Sequence, residues 1–126
     1  MAQKFIKDDI VMYKNRIHTI IDTLALNNYE LSYVRHSVNQ AELSGVPLTP
    51  EIIEKNGWYG ATHSKQSDDN TKILYKTFKR KGYPTIKVSQ DLKITCELSP
   101  FIVKLESVSD LQHLLFGLGL NSEMEV

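Results

Sequence analysis

Leu92, Ile94, Cys96 and Leu98 alternate with Lys93, Thr95 and Glu97. A period of two sends every second side chain to the same side of an extended strand, so this segment demands a sheet with one apolar face. Phe101–Glu106 continues the pattern beyond Ser99-Pro100, while Ile73–Phe78 and Thr85–Val88 frame a turn at Lys79–Gly82. Together they predict an antiparallel sheet over residues 72–106. Its apolar face needs cover, because bare strands pair with other chains. The last helix is the expected cover. Ser109 and Gln112 have the spacing of a capping box, Asp110 suits the helix dipole, and Leu111, Leu114, Leu115 and Leu118 form one stripe. Gly117 and Gly119 should end this helix, predicted over 109–118. Glu123–Val126 reads as a tail or one more short strand.

Residues 1–45 are β-rich. Ile10–Tyr13 and Ile17–Ile21 flank Lys14-Asn15-Arg16, a gap short enough for a hairpin, with Asn tolerating left-handed angles. Tyr29, Leu31 and Tyr33 alternate with polar residues after a turn at Asn27-Asn28. Three strands here predict a small meander or incomplete barrel. A short helix over 49–56 follows, with Thr49 as N-cap, Pro50 at its first position and Asn56-Gly57 as its stop. Two turns do not persist alone, so Ile52 and Ile53 must pack it down. Ala61–Asn70 is polar without apolar period and reads as an exposed, mobile loop.

The fold class expected is therefore α+β, as a single domain over 1–126: an N-terminal β-meander, a short linking helix, and an antiparallel β-sheet covered by a C-terminal helix. Length and composition agree, since 126 residues with 41% apolar and 24% charged content suit one globular domain. Met1–Phe5 lacks the apolar core of a signal peptide, and no apolar run approaches the ~20 residues that cross a bilayer. The expected location is cytoplasmic, with no membrane partner.

Catalytic signals are missing from the sequence. His18, His36, His63 and His113 have no metal-ligand spacing, and neither paired Cys-x-x-Cys nor a phosphate-cradling glycine loop occurs. Each histidine reads as a surface or hydrogen-bonded residue. Asp8-Asp9 and Asp68-Asp69 read as turn or solvated acids, and Cys96 as a buried, inert thiol. The expectation is no enzyme, no catalytic residue, no metal and no cofactor.

Charge is balanced overall, 15 basic against 15 acidic, but unevenly placed. From Lys72 to Lys93 seven basic residues meet one acid, Asp91; from Leu105 to Val126 there are four acids and no Lys or Arg. Lys76, Lys79, Arg80, Lys81 and Tyr83 crowd the expected hairpin tip, close to Tyr75 and Phe78. A basic tip with aromatic neighbours can hold a nucleic-acid backbone and stack a base. It can equally be a solvated turn that keeps an edge from pairing, or a contact for an acidic protein surface, including this chain's own C-terminal segment. A neutral global charge argues against a dedicated nucleic-acid binder.

Val46-Pro-Leu-Thr-Pro-Glu-Ile-Ile-Glu-Lys-Asn-Gly-Trp58 and Val108-Ser-Asp-Leu-Gln-His-Leu-Leu-Phe-Gly-Leu118 occur in this order, before a close at Glu123-Met-Glu-Val126. The pair resembles a family of small uncharacterised proteins from phage and prophage regions of gut bacteria. Its pattern is a P-L-T-x-x-x-L-x-x-N-G-[FW] segment and a V-H-x-L-Q-N-L-x-F-A-L ending. Ser109, His113 and Gly117 stand where that pattern has His, Asn and Ala. The resemblance implies a phage or mobile-element accessory protein and carries over no functional residue. The reading reached is a protein that binds another protein, or itself. The alternatives are a nucleic-acid module using the basic hairpin and, least favoured, a small-ligand binder or enzyme.

Overall fold

The computed structural model describes residues 3–66 and 72–126. It has the α+β class expected: two antiparallel five-stranded sheets and two α-helices. The chain divides into two compact units, Met1–Pro47 with Ser107–Met124, and Leu48–Glu106 with Glu125–Val126. Among the described residues no helix is long and apolar enough to cross a membrane.

In the first unit β1 (Ile10–Tyr13) and β2 (Arg16–Leu24) form the expected hairpin. Lys14 and Asn15 both take positive φ, 47° and 62°, which gives the two-residue turn the twist its strands require. β3 (Asn28–Leu31) pairs with β2 and stops sooner than the alternation suggests: Tyr33 has φ 60° and is fully exposed. Two short strands went unforeseen, β4 (Val38–Asn39) and β5 (Leu43–Gly45). β5 returns to pair with β1, so the order is β4-β3-β2-β1-β5. Phe5, Val11, Tyr13, Ile20, Tyr29, Leu31, Val38 and Leu43 form the core. The Tyr29 hydroxyl donates to Gln40 Oε1 at 2.6 Å and accepts from the Phe5 N–H at 3.3 Å. Its polar end is thus satisfied inside an apolar core.

The C-terminal helix belongs to this first unit. That corrects the expectation that it covers the 72–106 sheet. α2 (Val108–Gly117) lies against β1, with Val108, Leu111 and Leu115 fully buried. Its cap is Ser107, whose Oγ accepts from the Asp110 N–H while Asp110 accepts from the Ser107 N–H. Capping two residues earlier than expected leaves Ser109 and Gln112 free to be buried. The buried line is then 108, 111, 112 and 115, and Leu118 is exposed.

In the second unit α1 (Pro50–Lys55) starts as expected: Thr49 Oγ1 accepts from the Ile52 N–H at 3.3 Å, and Gly57 ends the turn at φ 96°. Its sheet runs β10-β9-β8-β7-β6. Residues 61–66, expected in a mobile loop, belong to strand β6 (Tyr59–Gln66), which pairs along its length with β7 (Lys72–Lys79). The rest of that expected loop, 67–70, lies outside the described residues. β6 is an edge strand, and Ala61, Thr62 and His63 are all exposed. Main-chain pairing holds it, and hydropathy carries no trace of that. β8 (Ile86–Ser89), β9 (Ile94–Leu98) and β10 (Phe101–Lys104) complete the sheet. Leu92 is not in β9; it sits in the preceding turn at φ 63° and is exposed.

Phe78, Ile86, Val88, Ile94 and Cys96 are buried, together with Leu48, Ile53 of α1, Trp58 and Leu105. Gly60 is a packing requirement, since a Cβ there would come within 2.7 Å of the Phe78 ring. Glu123–Val126 forms no strand, but Asn56 grips Glu125 on both sides: its Oδ1 accepts from the Glu125 N–H at 2.7 Å and its Nδ2 donates to the Glu125 carbonyl at 2.8 Å.

Candidate functional site

The register of the second sheet decides which side chains share its other face. Residues opposite one another point the same way. Ala61 faces Thr77, Thr77 faces Lys87, Lys87 faces Thr95, and Thr95 faces Lys104. One row therefore crosses all five strands on the side opposite Phe78, Ile86 and Cys96. Tyr59 opposite Lys79, and Ile102 opposite Glu97, lie to one side of it; His63 opposite Tyr75, and Ser89, lie to the other. Ala61, Thr77 and Thr95 in this row are small, and Lys87 stands at its middle. Its borders carry rings and lysines.

This face is open: Tyr59 is 82% exposed and Ile102 67%. His63, Lys79, Lys87, Glu97 and Lys104 are exposed too. His63 stacks on Tyr75 with centroids 5.2 Å apart and planes at 20°, and its Nε2 lies 2.8 Å from Thr77 Oγ1. Lys87 Nζ sits 4.7 Å from the Tyr75 ring centroid. Among the described side chains that these strands place here, three lysines stand against one acid, Glu97, so the face is locally basic although the chain is neutral. Thr95 and Lys104 also line a groove of about 370 Å³ with Leu48, Leu92, Lys93 and Leu105.

The residues singled out from the sequence scatter. Lys79 lies on the open face. Lys76 lies on the opposite one, in a groove with Leu74, Val88 and Leu92. Arg80 is committed to packing, its guanidinium 5.1 Å from the Trp58 ring and 3.9 Å from the Tyr83 ring. Tyr83 itself packs edge-on to Trp58 at 5.4 Å. Lys81 is exposed in the turn, and Phe78 is buried. His63 reads from the sequence only as a surface or hydrogen-bonded histidine, Lys87 counts only toward the charge of its segment, and Lys104 has no signal of its own.

The remaining reactive groups have structural partners. His18 Nδ1 lies 2.8 Å from the Ser32 carbonyl, and His36 Nε2 lies 3.4 Å from the Tyr13 hydroxyl. Cys96 is buried, and burial, helped by nearby Glu97, raises its thiol pKa. Among the described residues no three His, Cys, Asp or Glu side chains gather as a metal set.

Asp9, expected at a solvated turn, is buried: it accepts from the Ile6 N–H at 2.9 Å and meets His113 Nε2 at 2.5 Å. Burial raises its pKa from 3.8; the Ile6 and His113 contacts pull the other way, and Asp8 adds to the rise. A raised folded pKa means the folded chain holds this proton more tightly than the unfolded chain. The associated stability is complete below the unfolded value and is lost as pH climbs through the folded one. Asp9→Asn, which cannot ionise, should therefore gain on the wild type as pH rises from about 4. Urea midpoints of both proteins across the acid range test this, and a constant difference would refute it.

No protein-family model, curated protein or solved structure compared with the chain matches it.

Proposed function

We propose that the protein is a non-catalytic binding module and that a macromolecular partner sits on the open face of the β6–β10 sheet. The observation carrying this is the five-strand row from Ala61 to Lys104, bordered by exposed Tyr59, His63, Lys79 and Ile102. Exposed rings on a flat, locally basic platform give contact area with little ordering cost. The resemblance to phage-region proteins adds the setting, an accessory protein of a phage or mobile element acting in the cytoplasm. A second reading, a protein partner, draws on edge strand β10 alone, where Phe101 and Ile102 face solvent as strand addition uses.

A tagged-protein pull-down from host lysate, with and without nuclease, tests the surface. The wild type should retain a discrete partner that a Tyr59→Ala/Lys87→Ala double variant loses. Equal recovery by both proteins would place the contact elsewhere.

A further inference from the structure

We infer that the ligand of this face is a single strand of nucleic acid, its phosphates held by Lys79, Lys87 and Lys104 and its bases resting on Tyr59 and the His63–Tyr75 pair. This rests on the reading of the open face as the binding surface and adds the ligand's chemistry.

Charge is the first argument. The three lysines come from β7, β8 and β10, so they span the sheet instead of clustering at one tip. Lys87 and Lys104 share one cross-strand row two strands apart, about 10 Å at ordinary strand spacing. A line of separated cations suits a polyanion running across the strands. It suits a single small anion less well, because that needs its donors converging on one point.

Shape is the second. Ala61, Thr77 and Thr95 are small, so a chain can lie close to the sheet on either side of Lys87, which stands at the middle of the row. Duplex DNA is read by a helix or ribbon that enters a groove, and this face is a flat sheet. Unpaired bases offer π-faces, which stack on exposed aromatic side chains without regard to sequence. Tyr59 is free for this, and His63 presents the side of its ring that Tyr75 does not cover. Lys87 lies over Tyr75 and can leave that ring for a phosphate as a base approaches.

The groove beside Lys104 is the third. At about 370 Å³, it sets Leu48, Leu92 and Leu105 beside Lys93, Lys104 and one acid, Glu106; Lys93 is paired with Asp91 at 3.6 Å, which leaves Lys104 as the cation for a phosphate. That combination accepts a flat base while its phosphate meets a lysine. The surface therefore favours a strand running from Tyr59 and His63 toward β10, not a protein strand added at the edge.

Fluorescence anisotropy with labelled dT12, U12 and a 12-base-pair duplex, from 50 to 200 mM salt, tests the proposal. Both single strands should bind more tightly than the duplex, and comparison of dT12 with U12 assigns DNA or RNA. Three lysine–phosphate contacts predict a slope of log K on log salt of about −2, and Lys87→Ala or Lys104→Ala should each reduce it by about 0.7. Tyr59→Ala should weaken binding roughly tenfold or more with the salt slope unchanged, as loss of a stacking platform requires. All three side chains are exposed, so thermal melts should match the wild type. Failure to bind either oligonucleotide overturns the proposal, as does binding indifferent to Tyr59. If the oligonucleotides fail while a nuclease-resistant protein is still lost from the Tyr59→Ala/Lys87→Ala pull-down, the ligand class is wrong and the surface stands. If neither experiment responds to these substitutions, both fall.

Discussion

Trp58→Ala should remove most of the stability of the second unit. Trp58 is 1% exposed, its N–H donates to the Pro84 carbonyl at 3.3 Å, and its ring meets Tyr83 edge-on and Arg80 through its face. Truncating a buried aromatic to alanine costs about 3–5 kcal/mol, and this one also leaves the Pro84 carbonyl without its donor. A unit of about 60 residues has a net stability of only roughly 3–9 kcal/mol, so the loss is of the same size as the whole. Amide exchange in β7, β8 and β9 should rise to near the unfolded rate. Trp58→Phe separates the two contributions: it keeps an aromatic ring and loses the donor, for about 1 kcal/mol or somewhat more. If Trp58→Ala left the exchange of β8 unchanged, the stack around Trp58 would be decoration on a sheet that Ile53 and Leu105 hold alone.

That stack explains why the basic hairpin misled a reading of sequence. Lys79-Arg-Lys is one run in the chain, and nothing local says that Arg80 turns back to lie over both Trp58 and Tyr83. Lys79, expected in the turn, is the last residue of β7 and so takes a place on the sheet's open face. Lys87 and Lys104 could join it only through register, which sets Lys87 opposite Thr95 and Thr95 opposite Lys104. Register depends on turn lengths and bulges, and a strand slipped by one residue reverses every side chain.

Elements fixed by short-range chemistry were legible. The Lys14-Asn15 turn and the Thr49-Pro50 start need only their own residues to form. β6 was not legible, because it is polar and lies at an edge where burial does not select apolar side chains. β4 and β5, at two and three residues, are too short for a period to show. At the last helix Ser107-Val-Ser-Asp offers two overlapping caps, and the choice between them turns on what Gln112 does once the chain has folded.

Gln112→Leu should destabilise the first unit by about 2–5 kcal/mol, although leucine matches glutamine in bulk and buries well. Gln112 is 3% exposed and uses its whole amide. Oε1 accepts from the Ile10 N–H at 2.8 Å, and Nε2 donates to the Asp8 carbonyl at 2.9 Å and the Ser122 carbonyl at 3.2 Å. These bonds tie the helix to the start of β1, a hundred residues away in sequence. Leucine would bury the same stem and strip the partners of Ile10 and Asp8, each orphan costing roughly 1–3 kcal/mol. Gln112→Glu sharpens the test. A carboxylate can still take the Ile10 N–H, but it has no donor for the two carbonyls and must bury its charge, so its deficit should grow as pH rises above the carboxylate range. Urea titrations of the three proteins, with amide exchange at Ile10, read both effects. A leucine variant as stable as the wild type would mean that apolar packing of Val108, Leu111 and Leu115 seats the helix unaided; an Ile10 amide that exchanges faster in step with lost stability would mean that the glutamine fixes where the helix lies.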